Sequence, residues 1–407
     1  MGRPDHGRRL NPVPPITPSR IAIVGAGIGG LTAALALDAA GHDVTLIERR
    51  TGFSEVGAGL QLSPNASRVL IGLGLGAALR RAASEPPGVV VRALATGRTL
   101  GEIPLGPEHR ENFGAPYYVI HRADLQTLLL DAVRGRAGIR LLMGRDVTGL
   151  VETPDAISLT LESHQGARSE TFVADLAVGA DGVRSRLRGH LDTAPLRPWR
   201  AAAWRALVPR EAVPADLDGE ATGLWLGRDR HVVHYPIRGG SHLNVVAVVP
   251  ERAGTDDWGQ LGEPAVLRAR FPDAAPPLAA LLNLPDSWLV WSLVDRPPAS
   301  PLARGRLALL GDAGHPILPF LAQGAALAVE DAAILAACLA AAPVPEALAA
   351  YAKARTARVR KVRAAARSNG RSYHAGALVS RVRNVFMRRL GPAGMTRRYR
   401  WLYGWTP

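Results

Sequence analysis

The sequence predicts an α/β protein: a Rossmann-like dinucleotide-binding domain with an inserted antiparallel β-sheet, followed by C-terminal helices. Three observations carry that expectation. A glycine-rich pattern of strand, turn, helix and strand spans residues 21–48, a second strand, Gly-Asp turn and helix occupy 306–339, and short β-branched and aromatic runs fill 199–249 between them. At 407 residues the chain is too long for one such unit and long enough for two or three domains.

The first pattern, IAIVGAGIGGLTAALALDAAGHDVTLIE, places Gly25, Gly27 and Gly30 at G-x-G-x-x-G spacing after the strand 21–24 and at the mouth of a helix running to about Ala40. The first glycine permits the tight turn, the second lets the backbone approach a pyrophosphate, and the third lets helix and strand pack closely. The helix N-terminus then offers free N–H groups and a partial positive charge to the phosphates. Glu48 ends the next strand 18 residues after the last glycine, where a carboxylate accepts the ribose hydroxyls of an adenosine.

Beyond Glu48, the glycines at 57 and 59 and Pro64 predict a loop entering a helix at Asn65, and GLGLG at 72–76 reads as a helix C-cap. Residues 89–120 read as a sheet excursion, 121–133 as a helix with Arg122 just ahead of it, and 139–178 as strands ending in the sharp Asp181-Gly182 turn. Residues 264–282 predict one or two helices broken at Pro272 and at Pro276-Pro277. The resulting division is a leader at 1–19, a dinucleotide-binding domain at 20–185 and 286–346, a substrate-binding sheet at 186–285, and basic helices at 347–407.

The net charge of +14 is unevenly spread: residues 347–407 contain 15 Lys and Arg and no Asp or Glu, which leaves the rest of the chain near neutrality. Arginine outnumbers lysine 47 to 2, so the excess reads as a compositional bias on solvated helix faces rather than a nucleic-acid or membrane patch; no nucleic acid is expected as partner. No apolar run is long enough to span a bilayer, and the leader has charge and proline but no apolar h-region. A disordered leader and a cytoplasmic protein are the expectation. The single Cys338 excludes an intrachain disulfide and a cysteine metal cage, and reads as a buried thiol.

Four patches in order, GAGIGG with Glu48, HRADL at 121–125, GADG at 179–182 and GDAGHP at 311–316, resemble the single-component flavoprotein aromatic hydroxylases of the p-hydroxybenzoate hydroxylase fold. The resemblance covers residues 20–340 and implies FAD, with its ADP on 21–48 next to Glu48 and Arg49, and Arg122 near the pyrophosphate. It implies that Gly311 and Asp312 meet the ribityl chain, that the helix N-terminus at Gly324 and Ala325 faces the flavin pyrimidine oxygen, and that Asp181 serves both FAD and the nicotinamide donor. Gly314 departs from the pattern, which has alanine there. HVVHYPIRGG at 231–240 and PFLAQGA at 319–325 are similar to the 3-hydroxybenzoate 6-hydroxylase group, which makes gentisate; by position His231 and Gln323 match its phenol-activating pair and Tyr235 a pocket tyrosine.

The chemistry so implied is hydroxylation of a small phenolic aromatic acid with NADH or NADPH and O₂, through a flavin hydroperoxide. An imidazole with a pKa near working pH suits removal of the phenol proton. In an alternating strand His231, Val233 and Tyr235 share one face and His234 the other. A sheet histidine satisfied by its neighbours, and a glutamine merely capping a helix, are the bland readings of His231 and Gln323; His315 reads as structural. Salicylate, a hydroxynicotinate or a secondary-metabolite phenol are alternative substrates, and a flavin-dependent reductase a remote alternative activity. A halogenase is disfavoured, since the chain has no W-x-W-x-I-P signature and no lysine before Lys353. A homodimer is compatible with the pattern.

Overall fold

Two large sheets contribute to one shared cavity. In the computed structural model, which describes residues 18–53, 59–163, 169–251 and 259–407, the first has six strands in the order Ala303–Arg304, Leu307–Leu309, Leu176–Gly179, Arg20–Val24, Asp43–Glu48, Ile139–Met143. Every pairing but the first is parallel. The strand order reverses at Arg20–Val24, and the crevice beyond the C-terminal ends of strands at such a point is where a ligand binds in open α/β sheets. Ile21, Ile23, Leu46, Val178 and Leu309 are all buried, which explains why these strands read as unbroken apolar runs rather than alternating ones. The helices Ile28–Ala39 and Gly324–Leu339 pack against each other beside this sheet.

The second sheet has eight strands: Gln260–Gly262, Trp288–Asp295, Arg197–Pro209, His242–Pro250, His231–Ile237, Thr222–Leu226, Gly88–Ala93 and Thr99–Pro104. It is antiparallel apart from the pairing of Thr222–Leu226 with Gly88–Ala93. The sheet therefore draws strands from 88–104 and 288–295, outside the interval 186–285 that local patterning marks. Pairing between segments some 130 positions apart leaves no trace in short-range alternation.

Several local expectations are revised. Gly59–Leu62 is a strand paired with Tyr118–His121, not part of a loop; residues 54–58, with Gly57, lie outside the described residues, as does the leader through residue 17. Gly74, at φ +90, breaks the helix that starts at Pro64, but the chain resumes helix at Gly76–Ala82. Pro276 occupies the first turn of the helix Pro276–Asn283 and starts it rather than breaking it, because an N1 proline lacks only a donor that would be unpaired anyway. Arg122 is the first residue of its helix, Arg122–Arg134. Cys338 is half-buried.

The C-terminal segment forms two long helices, Val344–Tyr373 and Ala377–Tyr403, the second kinked at Gly391 before Pro392. Their charge is not simply a solvated face. Arg355 is buried between Glu330 (2.9 Å) and Asp331 (2.6 Å), Arg358 reaches Glu330 at 2.7 Å, and Arg363 and Arg367 each meet Asp295 at 2.9 Å. Part of the basic tail is thus the counter-charge for acids of the body. Among the described residues no helix is long and apolar enough to cross a membrane.

Candidate active site

A cavity of about 410 Å³ separates the two sheets. One wall is the C-terminal edge of the parallel sheet, with Gly27, Ala180, Gly311 and Asp312; the other is a face of the eight-stranded sheet, with Arg205, His231, Tyr235 and Trp291.

The three glycines of the first turn differ in what a methyl group would meet. At Gly25, with φ +105, it would lie 2.5 Å from the Ala180 carbonyl oxygen, and at Gly30 1.9 Å from the Gly25 oxygen. At Gly27 it would meet no protein atom within 4 Å, since this residue faces the cavity. Turn, close packing and open approach are therefore separate constraints on three positions. Glu48 holds the loop: its Oε2 accepts from the Ala26 N–H at 2.8 Å and its Oε1 from the Arg50 N–H at 3.0 Å. Each carboxylate oxygen keeps a further lone pair for another donor. Arg49 beside it is exposed.

The second turn is held from behind. Gly311, at φ +56, donates its N–H to Asp331 Oδ2 at 2.8 Å; the same oxygen lies 2.5 Å from His315 Nε2, while Asp331 Oδ1 accepts from Arg355 Nε at 2.6 Å. Burial alone would raise the Asp331 carboxyl, but His315, Arg355 and the Gly311 N–H outweigh it and hold the group at about 2. His315 is thus a bridge in this cluster. Gly314 fits because a methyl there would lie 3.0 Å from Leu302 Cδ2. Asp312 is accessible because it points into the cavity, not to bulk solvent; crowding by protein raises its carboxyl pKa against the pull of His315 and Arg122. Arg122, Gly324 and Ala325 also line the cavity, and a methyl on Gly324 would meet nothing within 4 Å.

On the opposite wall His231, Val233 and Tyr235 point into the cavity from one strand. His234 is buried on the other face, tilted against Trp225 at 6.3 Å. His231 is 4% exposed, and its Nδ1 lies 2.8 Å from Nε2 of His374, the residue that closes the helix Val344–Tyr373. Burial, and then the neighbouring His374, push the His231 imidazole well below its ordinary pKa. Tyr235 is buried, and burial raises its hydroxyl pKa against the lowering influence of Arg205. Its ring fills the space beside Gly59, where a methyl would come within 2.4 Å of it.

Arg205 escaped sequence reading. It stands in the run WRALVP on the strand Arg197–Pro209, one arginine among 47, and nothing local marks it. Its guanidinium carbon lies 4.7 Å from the centre of the Trp291 ring, and its Nε has no hydrogen-bond partner among the described residues. Burial lowers its pKa, opposed by Tyr235. A half-buried guanidinium on a cavity wall with an unused donor suits an anionic group of a ligand.

Gln323 and Asp181 do not line the cavity wall, and neither do Gly25, Gly30, Glu48 or Arg49, which hold or flank the first turn from behind. Gln323 is buried at the N-cap of Gly324–Leu339, where its Oε1 accepts from Asn65 Nδ2 at 3.0 Å and its Nε2 donates to Ser63 Oγ at 2.9 Å. Both ends of its amide are engaged away from His231. Asp181 caps the turn Leu187–His190: its Oδ2 accepts from the N–H groups of Arg186 (2.9 Å) and Leu187 (3.4 Å). Burial raises its carboxyl despite these bonds. Its neighbours Ala180, Gly182 and Val183 line the cavity in its place.

The residues present fit an FAD: two positively polarised helix N-termini, two glycines without a methyl where a ligand backbone would pass, and Arg122 with Asp312 between them. Comparison with known proteins agrees. The FAD binding domain family matches residues 19–366. A 3-hydroxybenzoate 6-hydroxylase of Polaromonas naphthalenivorans is 34% identical over 388 residues, 95% of this chain and 96% of that protein. A 3-amino-4-hydroxybenzoate 2-monooxygenase of Streptomyces cremeus is 38% identical over 359 residues, 87% and 88% of the two chains. The structure of Klebsiella pneumoniae HpxO with FAD and uric acid superposes with a TM-score of 0.81 at 28% identity, covering 93% of this chain and 95% of that one. With the two-walled cavity, these likenesses show that the chain belongs to the FAD binding domain family, among its FAD-dependent aromatic hydroxylases.

Proposed function

We propose that this enzyme hydroxylates a phenolic aromatic acid of the 3-hydroxybenzoate type, using O₂ and a reduced nicotinamide, with gentisate as the product from 3-hydroxybenzoate itself. The observation that carries this is the wall formed by Arg205, His231 and Tyr235 opposite the two glycine turns. A carboxylate and a phenol on one small ring match a guanidinium and an imidazole on one sheet face. The 3-hydroxybenzoate 6-hydroxylase at 34% identity supports the substrate class.

In this reading the ADP of FAD lies along Gly25, Gly27 and Gly30 and reaches Glu48 and Arg49, with Arg122 near the pyrophosphate. Gly311 and Asp312 meet the ribityl chain, and the helix start at Gly324 and Ala325 faces the pyrimidine edge, where its dipole favours negative charge. When bound, FAD supplies the chemistry, passing electrons from NADH or NADPH to O₂ and delivering one oxygen atom to the ring. The protein holds the ring and removes its phenol proton. His231 takes that proton through Nε2, since its Nδ1 is engaged by His374, and Arg205 holds the carboxylate. Gln323 and Asp181 act as positioning residues, the first for the helix start and the second for the turn at Gly182.

A second substrate, an aminohydroxybenzoate, is favoured by the Streptomyces cremeus likeness at 38% identity. One assay separates the two and tests the whole reading: the purified yellow protein is given NADH or NADPH with 3-hydroxybenzoate, 3-amino-4-hydroxybenzoate, salicylate or 6-hydroxynicotinate, and hydroxylated product is quantified against peroxide. Product from a hydroxybenzoate is the expected result. Peroxide alone from every substrate, or a preparation that stays colourless with excess FAD, overturns it.

A further inference from the structure

His231 has one nitrogen left for a ligand, and the other leads out of the cavity. Its Nδ1 meets His374 Nε2 at 2.8 Å, with ring centroids 5.0 Å apart. The rings packed on the pair, Phe320 at 5.7 Å and Tyr373 at 5.4 Å from His231, carry no charge. A cation on His231 would therefore be poorly solvated, and burial together with His374 holds this imidazole neutral at working pH. A base that cannot keep a proton needs somewhere to send it. His374 is only half-buried, and Asp229, in the turn before the His231 strand, opposes the burial that brings its pKa down to about 4. The other polar and charged groups around this exit include Arg228, paired with Asp229 at 3.6 Å, Arg383, whose Nη1 donates to the Ser372 carbonyl at 2.6 Å, the Tyr373 hydroxyl, which burial keeps protonated against the pull of Arg398 and Arg383, and Asn369, whose Nδ2 donates to that hydroxyl at 3.5 Å.

We propose that His374 is the outer member of a proton relay that carries the phenol proton from His231 to solvent. The proposal rests on His231 being the base. The phenol O–H bond breaks and its proton bonds to His231 Nε2; the proton on His231 Nδ1 crosses to His374 Nε2; the proton on His374 Nδ1 leaves to water. Both imidazoles end neutral with their tautomers exchanged, a phenolate stays in the cavity, and one proton has reached solvent. Reprotonation of the product runs the same steps backwards and resets the pair. His374 acts through His231 and does not touch the substrate.

The test follows proton release when 3-hydroxybenzoate binds the oxidised, FAD-loaded enzyme in weak buffer with a pH indicator, in parallel with the difference spectrum of bound phenolate from pH 6 to 9. His374→Gln, which keeps a hydrogen-bonding atom toward His231 but cannot pass a proton on, is expected to retain FAD and bind the probe while releasing the proton about tenfold more slowly or worse. His374→Ala should show the same defect and recover with added imidazole. An unchanged release rate and spectral pH profile in His374→Gln overturn the relay, and so does a His374→Ala defect that imidazole leaves unmoved. His231→Ala separates the two claims: release abolished there but normal in His374→Gln leaves the base standing and removes the relay, whereas normal release in His231→Ala removes both.

Discussion

Gly27 and Gly30 lie three positions apart, and a methyl group added to each has opposite consequences. At Gly30 it would run into the Gly25 carbonyl at 1.9 Å, so Gly30→Ala must push helix from strand and destabilise the protein whether or not FAD is bound. At Gly27 it enters open space on a backbone with φ −76, which any residue adopts. Gly27→Ala is therefore expected to leave apoprotein stability within about 0.5 kcal/mol of the parent while weakening FAD by at least about tenfold, or 1.4 kcal/mol. Thermal unfolding of the apoprotein and FAD titration check the pair; equal FAD affinity in Gly27→Ala would contradict the assignment. Arg205 makes a second demand. Hydrogen bonds to a charged group contribute about 1.5–3 kcal/mol, so Arg205→Gln should raise KM for 3-hydroxybenzoate by roughly ten- to a hundredfold and leave the uncharged 3-hydroxybenzyl alcohol unaffected. A parallel rise for both compounds would show that Arg205 shapes the pocket without reading the carboxylate. The glycines were legible because their constraint lies within a six-residue turn, whereas Arg205 is marked by nothing but the wall it joins.

At the scale of elements, the helix Gly324–Leu339 is fixed at both its cavity-facing start and its middle. Gln323 ties its start to Ser63 and Asn65, and Asp331 ties its body to Gly311, His315 and Arg355. The carboxyl of Asp331 is held at about 2, below its ordinary 3.8, so its contribution to stability is present above pH 3.8 and is lost as pH falls toward 2. Asp331→Asn should flatten that acid limb of the unfolding curve and lower stability at neutral pH, by less than the roughly 3–5 kcal/mol of a fully uncompensated buried charge because Arg355 keeps its second partner, Glu330. Denaturant titrations at pH 7 and across pH 2–5 measure both effects. An acid limb as steep as in the parent protein would place the titrating group elsewhere. The sequence displayed the helix and its glycine turn, but read Gln323 by position as a substrate contact; the network that occupies its amide comes from residues about 260 positions away.

Across the whole molecule, the C-terminal helices complete the body. Removing residues from 344 onward would strip Arg355 and Arg358 from Glu330 and Asp331, both fully buried. Breaking a buried pair by removing one partner costs about 3–5 kcal/mol, so two such losses, roughly 6–10 kcal/mol, fall within the 5–15 kcal/mol that holds a typical protein folded. The chain ended at residue 343 is expected to be insoluble or to lose FAD, as soluble yield and visible absorbance would report. A soluble, yellow product would show that these pairs contribute little. The basic excess of the tail is thus partly a folding requirement, which a count of charges along the chain does not reveal.

The sequence by itself determined the half of the site whose physics is local. A tight turn, a close helix approach, an acid at the next strand end and a second glycine turn each act within a few residues, and together they mark one wall of the cavity. Tertiary structure decided the other half. His231 and His374 are 143 positions apart, and Arg205 reaches Trp291 across two strands of one sheet. Such pairs are made by strand register and helix docking, which depend on burying apolar surface over the whole chain and leave no periodic signal at the residues they bring together.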